Sequence, residues 1–237
     1  MANNELLLFG SVSAASQLGT TLSVVPQITC ILLYLSLWKT VSRFRREKTT
    51  RNLPLMPYIS LAVQSILWVS YGALIESSPV VLPSLIGTLL GIYYTYSFHT
   101  NYTRNEKFLL FKHYVAAGSV LLILGFCLSQ EFDIAKRYIA IMSMSFSVVF
   151  AASPLVMILT VCRDKSVSAL PFDMSLLVFI NGFLWILFGI LVQNDEAIYI
   201  PSILGLISGL LQIVCHMLYG NPIAQFKAML QCENSVV

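Results

Sequence analysis

Charge is what this sequence has least of. Only 11% of its 237 residues are Asp, Glu, Lys or Arg, while 57% are hydrophobic; a soluble domain carries about 25% charged residues. An ordinary soluble fold of this size cannot hide that much apolar surface. A bilayer accepts it, and the few charges are bunched between long apolar runs, as in a polytopic helical membrane protein. Paired cysteines are lacking too. Cys30, Cys127, Cys162, Cys215 and Cys232 form no CxxC pair, so they read as small buried hydrophobes rather than a disulfide framework or a metal site. The three histidines, His99, His113 and His216, are scattered. They lack metal-ligand spacing and a Ser or Asp partner, which sets catalysis aside. The opening MANNELLLFGSVSAASQLG has no basic n-region, so residues 1–19 read as an attached N-terminal extension and not as a cleaved signal peptide.

What is present is a set of seven apolar runs, at about 20–43, 57–75, 80–99, 111–129, 137–161, 170–192 and 197–219. Each is about 20 residues long, enough to cross about 30 Å of hydrocarbon. They are continuous rather than alternating, so they predict helices, not barrel strands. Lys and Arg give the direction. Lys39, Arg43, Arg45, Arg46, Lys48, Arg51, Arg104, Lys107, Lys112, Arg163, Lys165 and Lys227 fall on one side, and only Lys136 and Arg137 on the other. The N-terminus is therefore expected outside or in the lumen and the C-terminus in the cytosol. The basic stretch Arg43–Arg51 reads as a cytosolic loop of the general kind that meets anionic headgroups. Asn101-Tyr102-Thr103 is a glycosylation sequon, but this topology places it in the cytosol, where it stays bare.

A decapeptide occurs twice. LPSLIGTLLG spans residues 82–91 and IPSILGLISG residues 200–209. They end a longer match, which starts at Leu67 in the first copy and Leu184 in the second. Trp68 pairs with Trp185, Gly72 with Gly189, Pro83 with Pro201, Ser84 with Ser202, Gly87 with Gly205 and Gly91 with Gly209, with one extra residue in the second loop. Spans one to three thus repeat as spans five to seven. Span four is a linker that restores direction, so the repeats run parallel. The expected fold is an all-α membrane protein of three-plus-one-plus-three helices. Its parts are an extension (1–19), a first repeat (20–100), a linker with the fourth helix (101–135), a second repeat (136–220) and a tail (221–237). Such internal symmetry is typical of transporters with a mid-membrane site.

This layout resembles the SWEET (MtN3/saliva) sugar transporters. FSVVFAASPLVM, KSVSALPF and IPSILGLISGLLQ resemble the family's fifth helix, the loop into its sixth and its seventh helix; KTTRNLPLMPY and LWVSYG resemble the matching parts of the first half. The resemblance implies passive, bidirectional transport of mono- or disaccharides by alternating access, with association into oligomers. It implies hinge prolines at Pro57, Pro154 and Pro171, with Leu37 where the fourth would stand. Equally open is that these prolines only start or kink helices. It implies a sugar pocket with Ser84 and Ser202 in place of the family's two asparagines, and with Trp68 and Trp185 stacking on the sugar ring. The alternative for the indoles is simple packing. Asn181, one turn before Trp185, either supplies an amide to the pocket or bonds a neighbouring helix. Tyr71 and Asp195 match the family's outer gate.

No Lys, Arg or Glu falls within the span centres, and Asp173 lies near the cytosolic end of helix six. Ion-coupled carriers usually need buried acids, so a uniporter is expected. It needs no metal, cofactor or nucleic acid, only sugar and bilayer, and the plasma membrane is favoured over an endomembrane. The alternative is a PQ-loop-like carrier of an amino acid or another small metabolite, kept open by Pro26-Gln27. A seven-helix retinal receptor lacks its Schiff-base lysine in Ile198–Tyr219, and a receptor would not explain the repeat.

Overall fold

The structure is a computed structural model describing residues 2–50, 53–103, 107–165, 167 and 170–220; the side chains of 2–15, 150–157, 160 and 164 lie outside the description. The described elements are all helical: α1 Ala2–Leu35, α2 Trp38–Glu47, α3 Met56–Leu74, α4 Ser78–Thr100, α5 Lys107–Leu128, α6 Phe132–Asp164, α7 Phe172–Phe188 and α8 Glu196–Tyr219, with a π-helical turn over Gly189–Gln193. A helix satisfies its own backbone, which is what a chain this apolar requires in lipid. Among the described residues five stretches are long and apolar enough to cross a membrane: Ser16–Glu47, Ser78–Thr100, Lys107–Leu128, Phe172–Gln193 and Glu196–Tyr219. With α3 and α6 they make seven, three on either side of α5.

Two boundaries differ from the hydropathy reading. The first helix begins at Ala2 and not near residue 20, because helicity continues through the less apolar opening. The basic stretch after it is not a loop up to Glu47. It is the separate amphipathic helix α2, which buries Val41 and Phe44. The break between α1 and α2 falls at Ser36–Leu37, where the resemblance put a missing proline. Ser36 makes the break in its place. Its N–H is shared between the Leu32 and Leu33 carbonyls at 3.0 and 3.2 Å, and its hydroxyl donates back to Leu33 at 2.7 Å. Such back-bonding tightens and bends a helix.

The chain divides into two compact units, residues 30–152 and residues 1–29 with 153–237. In the first, α3 packs along α4. A Cβ built on Gly91 would sit 2.5 Å from the Ala62 backbone nitrogen, and one on Gly87 2.4 Å from Ser65 Oγ; these helices approach as only small residues allow. Phe44, Tyr58, Tyr94 and Phe98 form an aromatic core. In the second unit α7 packs along α8 in the same manner. A Cβ on Gly209 would meet the Phe179 backbone nitrogen at 2.6 Å, and one on Gly182 the Leu206 nitrogen at 2.6 Å. Val161, Val167, Leu170 and Cys215 cluster beside them.

The repeat extends to the backbone. Ser77 N–H bonds the Gly72 carbonyl at 2.9 Å, and Asp195 N–H bonds the Gly189 carbonyl at 2.9 Å. The extra residue of the second copy is absorbed by the π turn Gly189–Gln193, a helical way to add one residue. The four described non-glycine residues with positive φ also fall into two matched pairs: Lys48 with Lys165 and Glu76 with Asn194.

Candidate functional site

Polar side chains inside an apolar helix must find partners, and the partners chosen here outline a candidate site. In the unit of residues 30–152, Trp68 Nε1 donates to Ser147 Oγ at 3.0 Å and Gln64 Nε2 to the same oxygen at 3.2 Å. Gln64 lies one turn before Trp68 on α3, so both side chains share a face. Trp68 also meets the Tyr71 ring edge-on, centroids 5.9 Å apart. In the other unit, Thr29 Oγ1 donates to Asn181 Oδ1 at 2.9 Å, with the Pro26 carbonyl at 3.0 Å as a second acceptor. Asn181 lies one turn before Trp185, whose ring meets Phe188 edge-on at 5.4 Å.

These two sets are related by the repeat. Counted back from the paired tryptophans, Asn181 occupies the position of Gln64. Thr29 on α1 answers Ser147 on α6 in kind, each a hydroxyl on the first helix of its repeat, though one place out of register when counted back from Lys48 and Lys165. In each unit the first helix of one repeat therefore bonds the second helix of the other. Gln64, Ser147 and Thr29 were missed in the sequence; their signal was the pairing of Gln64 with Asn181, each an amide one turn before a tryptophan. Each set offers amide and hydroxyl groups beside an indole face, and every member is neutral. That combination suits a polyhydroxylated ligand, which needs donors, acceptors and an apolar ring face.

The other expected residues fall as follows. Ser84 is buried, 5% exposed, and its hydroxyl donates to the Val80 carbonyl at 2.7 Å. Ser202 does the same to Ile198 at 2.7 Å. In both, the proton is spent on the helix's own turn, leaving oxygen lone pairs as acceptors. Tyr71 is buried. Asp195 caps α8, its Oδ1 accepting from Ala197 N–H at 2.8 Å. Pro57 lies in the first turn of α3 and Pro171 is the N-cap of α7, so neither interrupts a helix interior; both replace an N–H that would have no helical partner. Pro154 lies within α6 by its backbone, and its side chain is outside the description. Gln27 of the Pro-Gln pair donates to the Ser23 carbonyl of its own helix. At the sequon, Asn101 Nδ2 donates to the Ser97 carbonyl at 2.8 Å and so closes the end of α4.

Comparison with known proteins gives these features a context. The family described as "Sugar efflux transporter for intercellular exchange" (MtN3_slv) matches residues 20–107 and 137–223. A protein of Arabidopsis thaliana named bidirectional sugar transporter SWEET8 is 23% identical over 228 residues, covering 92% of this chain and 95% of its own length. The sugar transporter SWEET1 of Drosophila pseudoobscura pseudoobscura is 26% identical over 200 residues, 84% of this chain and 88% of its own. A solved structure of a eukaryotic SWEET transporter superposes with a TM-score of 0.73 at 24% identity, covering 85% of this chain and 96% of that one. That likeness is one of fold. Two family matches, one on each of two sequence repeats that share their helix contacts and their backbone turns, have one reading: the chain belongs to the MtN3/saliva family of sugar efflux transporters.

Proposed function

We propose that this chain carries mono- or disaccharides across a membrane, passively and in both directions, by alternating access. Family membership supports this reading, and so do the names of its relatives. The observation that carries it is the symmetric, uncharged polar pair of sets: Thr29–Asn181 and Gln64–Ser147–Trp68. In this reading Asn181, Trp68, Trp185, Ser84 and Ser202 contact the sugar. Among the described residues Asn181 Nδ2 has no side-chain partner once Oδ1 has accepted from Thr29, and in this reading it donates to a sugar hydroxyl. The indole N–H of Trp68 is held by Ser147, which fixes the ring plane a sugar would stack on. Tyr71 and Asp195 serve as the outer gate and Pro57, Pro154 and Pro171 as hinges.

By the charge count the N-terminus lies outside or in the lumen and the C-terminus in the cytosol. The plasma membrane is favoured over an endomembrane as the site of action, and the family resemblance adds a homo-oligomer. The absence of acids at the span centres supports uniport, since coupling ions are coordinated or relayed by such groups.

The experiment is uptake of labelled glucose, fructose and sucrose in cells without their own sugar carriers. Saturable uptake by the wild-type protein is expected for at least one sugar. Asn181→Ala is expected to lower uptake at subsaturating sugar at least tenfold, about 1.4 kcal/mol, the scale of a hydrogen bond to a buried amide. Thr29→Val should fall less, since it releases Asn181 rather than removing it. Uptake of no sugar by protein that reaches the membrane would replace this reading with the amino-acid or metabolite carrier.

A further inference from the structure

Helix α2 has two opposed faces. Val41 and Phe44 are each 1% exposed, and Phe44 meets Tyr58 and Phe98 edge-on at 5.8 and 6.0 Å. Lys39, Arg43 and Arg46 are all exposed. At about 100° per residue, these three lie within about 60° of one another and diametrically opposite the Val41–Phe44 seam. The cationic stripe is thus held outward by a docked helix. From Trp38 to Lys48 there are five cations and one acid, Glu47.

The flank of the helix shows the depth at which it sits. Trp38 is 47% exposed and stacks on Tyr93 with centroids 5.6 Å apart and planes 19° apart. Arg45 lies over the same Tyr93 ring at 5.4 Å and donates to its hydroxyl. Tryptophan and tyrosine with one wet and one apolar end collect at the headgroup level of a bilayer. Trp38 also directly follows the apolar run ILLYLSL of residues 31–37. The stripe therefore emerges where lipid phosphates lie.

We propose that the Lys39–Arg43–Arg46 stripe of α2 binds the phosphate headgroups of anionic membrane lipids. Three cations spaced a turn apart on a rigid support suit a row of phosphates better than a mobile loop does. Bivalent guanidinium contact to phosphate oxygens comes from Arg43 and Arg46, and a point charge comes from Lys39. Because the same helix buries Phe44 against Tyr58, next to Pro57, a bound lipid steadies the start of α3. The proposal does not depend on which solute is carried.

Native mass spectrometry of the purified full-length protein in nonionic detergent tests it, with dioctanoyl phosphatidylglycerol, dioctanoyl phosphatidylcholine and glycerol 3-phosphate as probes. Phosphatidylglycerol is expected to bind at least tenfold more tightly than phosphatidylcholine, with glycerol 3-phosphate failing to displace it. The triple variant Lys39→Gln/Arg43→Gln/Arg46→Gln should weaken phosphatidylglycerol about tenfold, to the level of phosphatidylcholine, since the headgroup phosphate then meets no cation. Lys136→Gln/Arg137→Gln, remote in sequence, should bind as wild type. Arg43→Lys/Arg46→Lys keeps the charge and should retain most of the binding, which separates lost charge from lost folding. Equal binding of both lipids, an unaffected triple variant, or equal loss in the Lys136/Arg137 variant would each overturn the proposal. Displacement by glycerol 3-phosphate would reassign the stripe to soluble anions.

Discussion

Asn181 and Gln64 hold matched places one turn before matched tryptophans, yet they satisfy themselves differently. Asn181 accepts from a threonine, whereas Gln64 donates to a serine that also receives an indole N–H. Ser147 therefore takes two donors, and Ser147→Ala should strand both. Its cost is expected to be about 1–3 kcal/mol of stability, read as a lower melting temperature in detergent, together with a changed tryptophan emission as Trp68 loses its bond. The glycines divide as sharply. Gly91→Ala and Gly209→Ala push a Cβ into the backbone of Ala62 or Phe179 and should each destabilise by about 1–3 kcal/mol. Gly205→Ala meets nothing within 4 Å and should be neutral or slightly stabilising, because alanine is the better helix former. Sequence alone made Gly91, Gly205 and Gly209 look alike, since all three belong to the repeated decapeptide. Only the line of approach between α7 and α8 tells them apart: there Gly182 meets Leu206, while in the first copy Gly87 meets Ser65.

The break between α1 and α2 shows how a helix can be interrupted without proline. Leu37 has φ −71°, inside the range proline imposes, about −65 ± 15°. The Leu33 carbonyl, the acceptor an unbroken helix would offer to Leu37, already receives the N–H and the hydroxyl of Ser36. Leu37→Pro is therefore expected to stay within about 1 kcal/mol of wild type, while Leu32→Pro, inside α1, should cost about 3 kcal/mol or more. Thermal melts of the two variants side by side decide it; equal losses would show that α1 and α2 act as one unbroken helix. The turn after α3 is a second such case. Glu76 sits at φ 53°, where the second copy has Asn194 at φ 48°. Asparagine tolerates that region better than glutamate, so Glu76→Asn should stabilise by about 0.5 kcal/mol, seen as a small rise in melting temperature. Hydropathy located α3 to α8 to within about five residues but missed the start of α1 at Ala2. It could not locate α2, because an amphipathic helix rich in arginine and a basic loop have the same mean hydropathy, and only the burial of Val41 and Phe44 separates them.

At the scale of the whole molecule the testable property is energetic. A carrier without acids at its span centres has no carboxylate there to relay a coupling proton. Proteoliposomes loaded with sugar should equilibrate with the outside and stop, at any imposed pH difference. Accumulation above the external concentration when one side is acidified would refute uniport. Sidedness is equally direct: a tag at the N-terminus should be reached by antibody on intact cells, and a tag at the C-terminus only after permeabilisation.

Seven apolar runs, the parallel repeat and the family were all legible in the sequence. Each depends on composition or order along the chain, and the bilayer turns those properties into structure with little further choice. Side-chain partners were not legible. A serine in an apolar helix can bond its own preceding turn, as Ser84 and Ser202 do, or accept from a neighbouring helix, as Ser147 does. Both satisfy the group, so local sequence does not distinguish them. Which helix lies alongside at hydrogen-bonding distance decides, and only the placing of α1 by α7 in one unit and of α6 by α3 in the other supplies that.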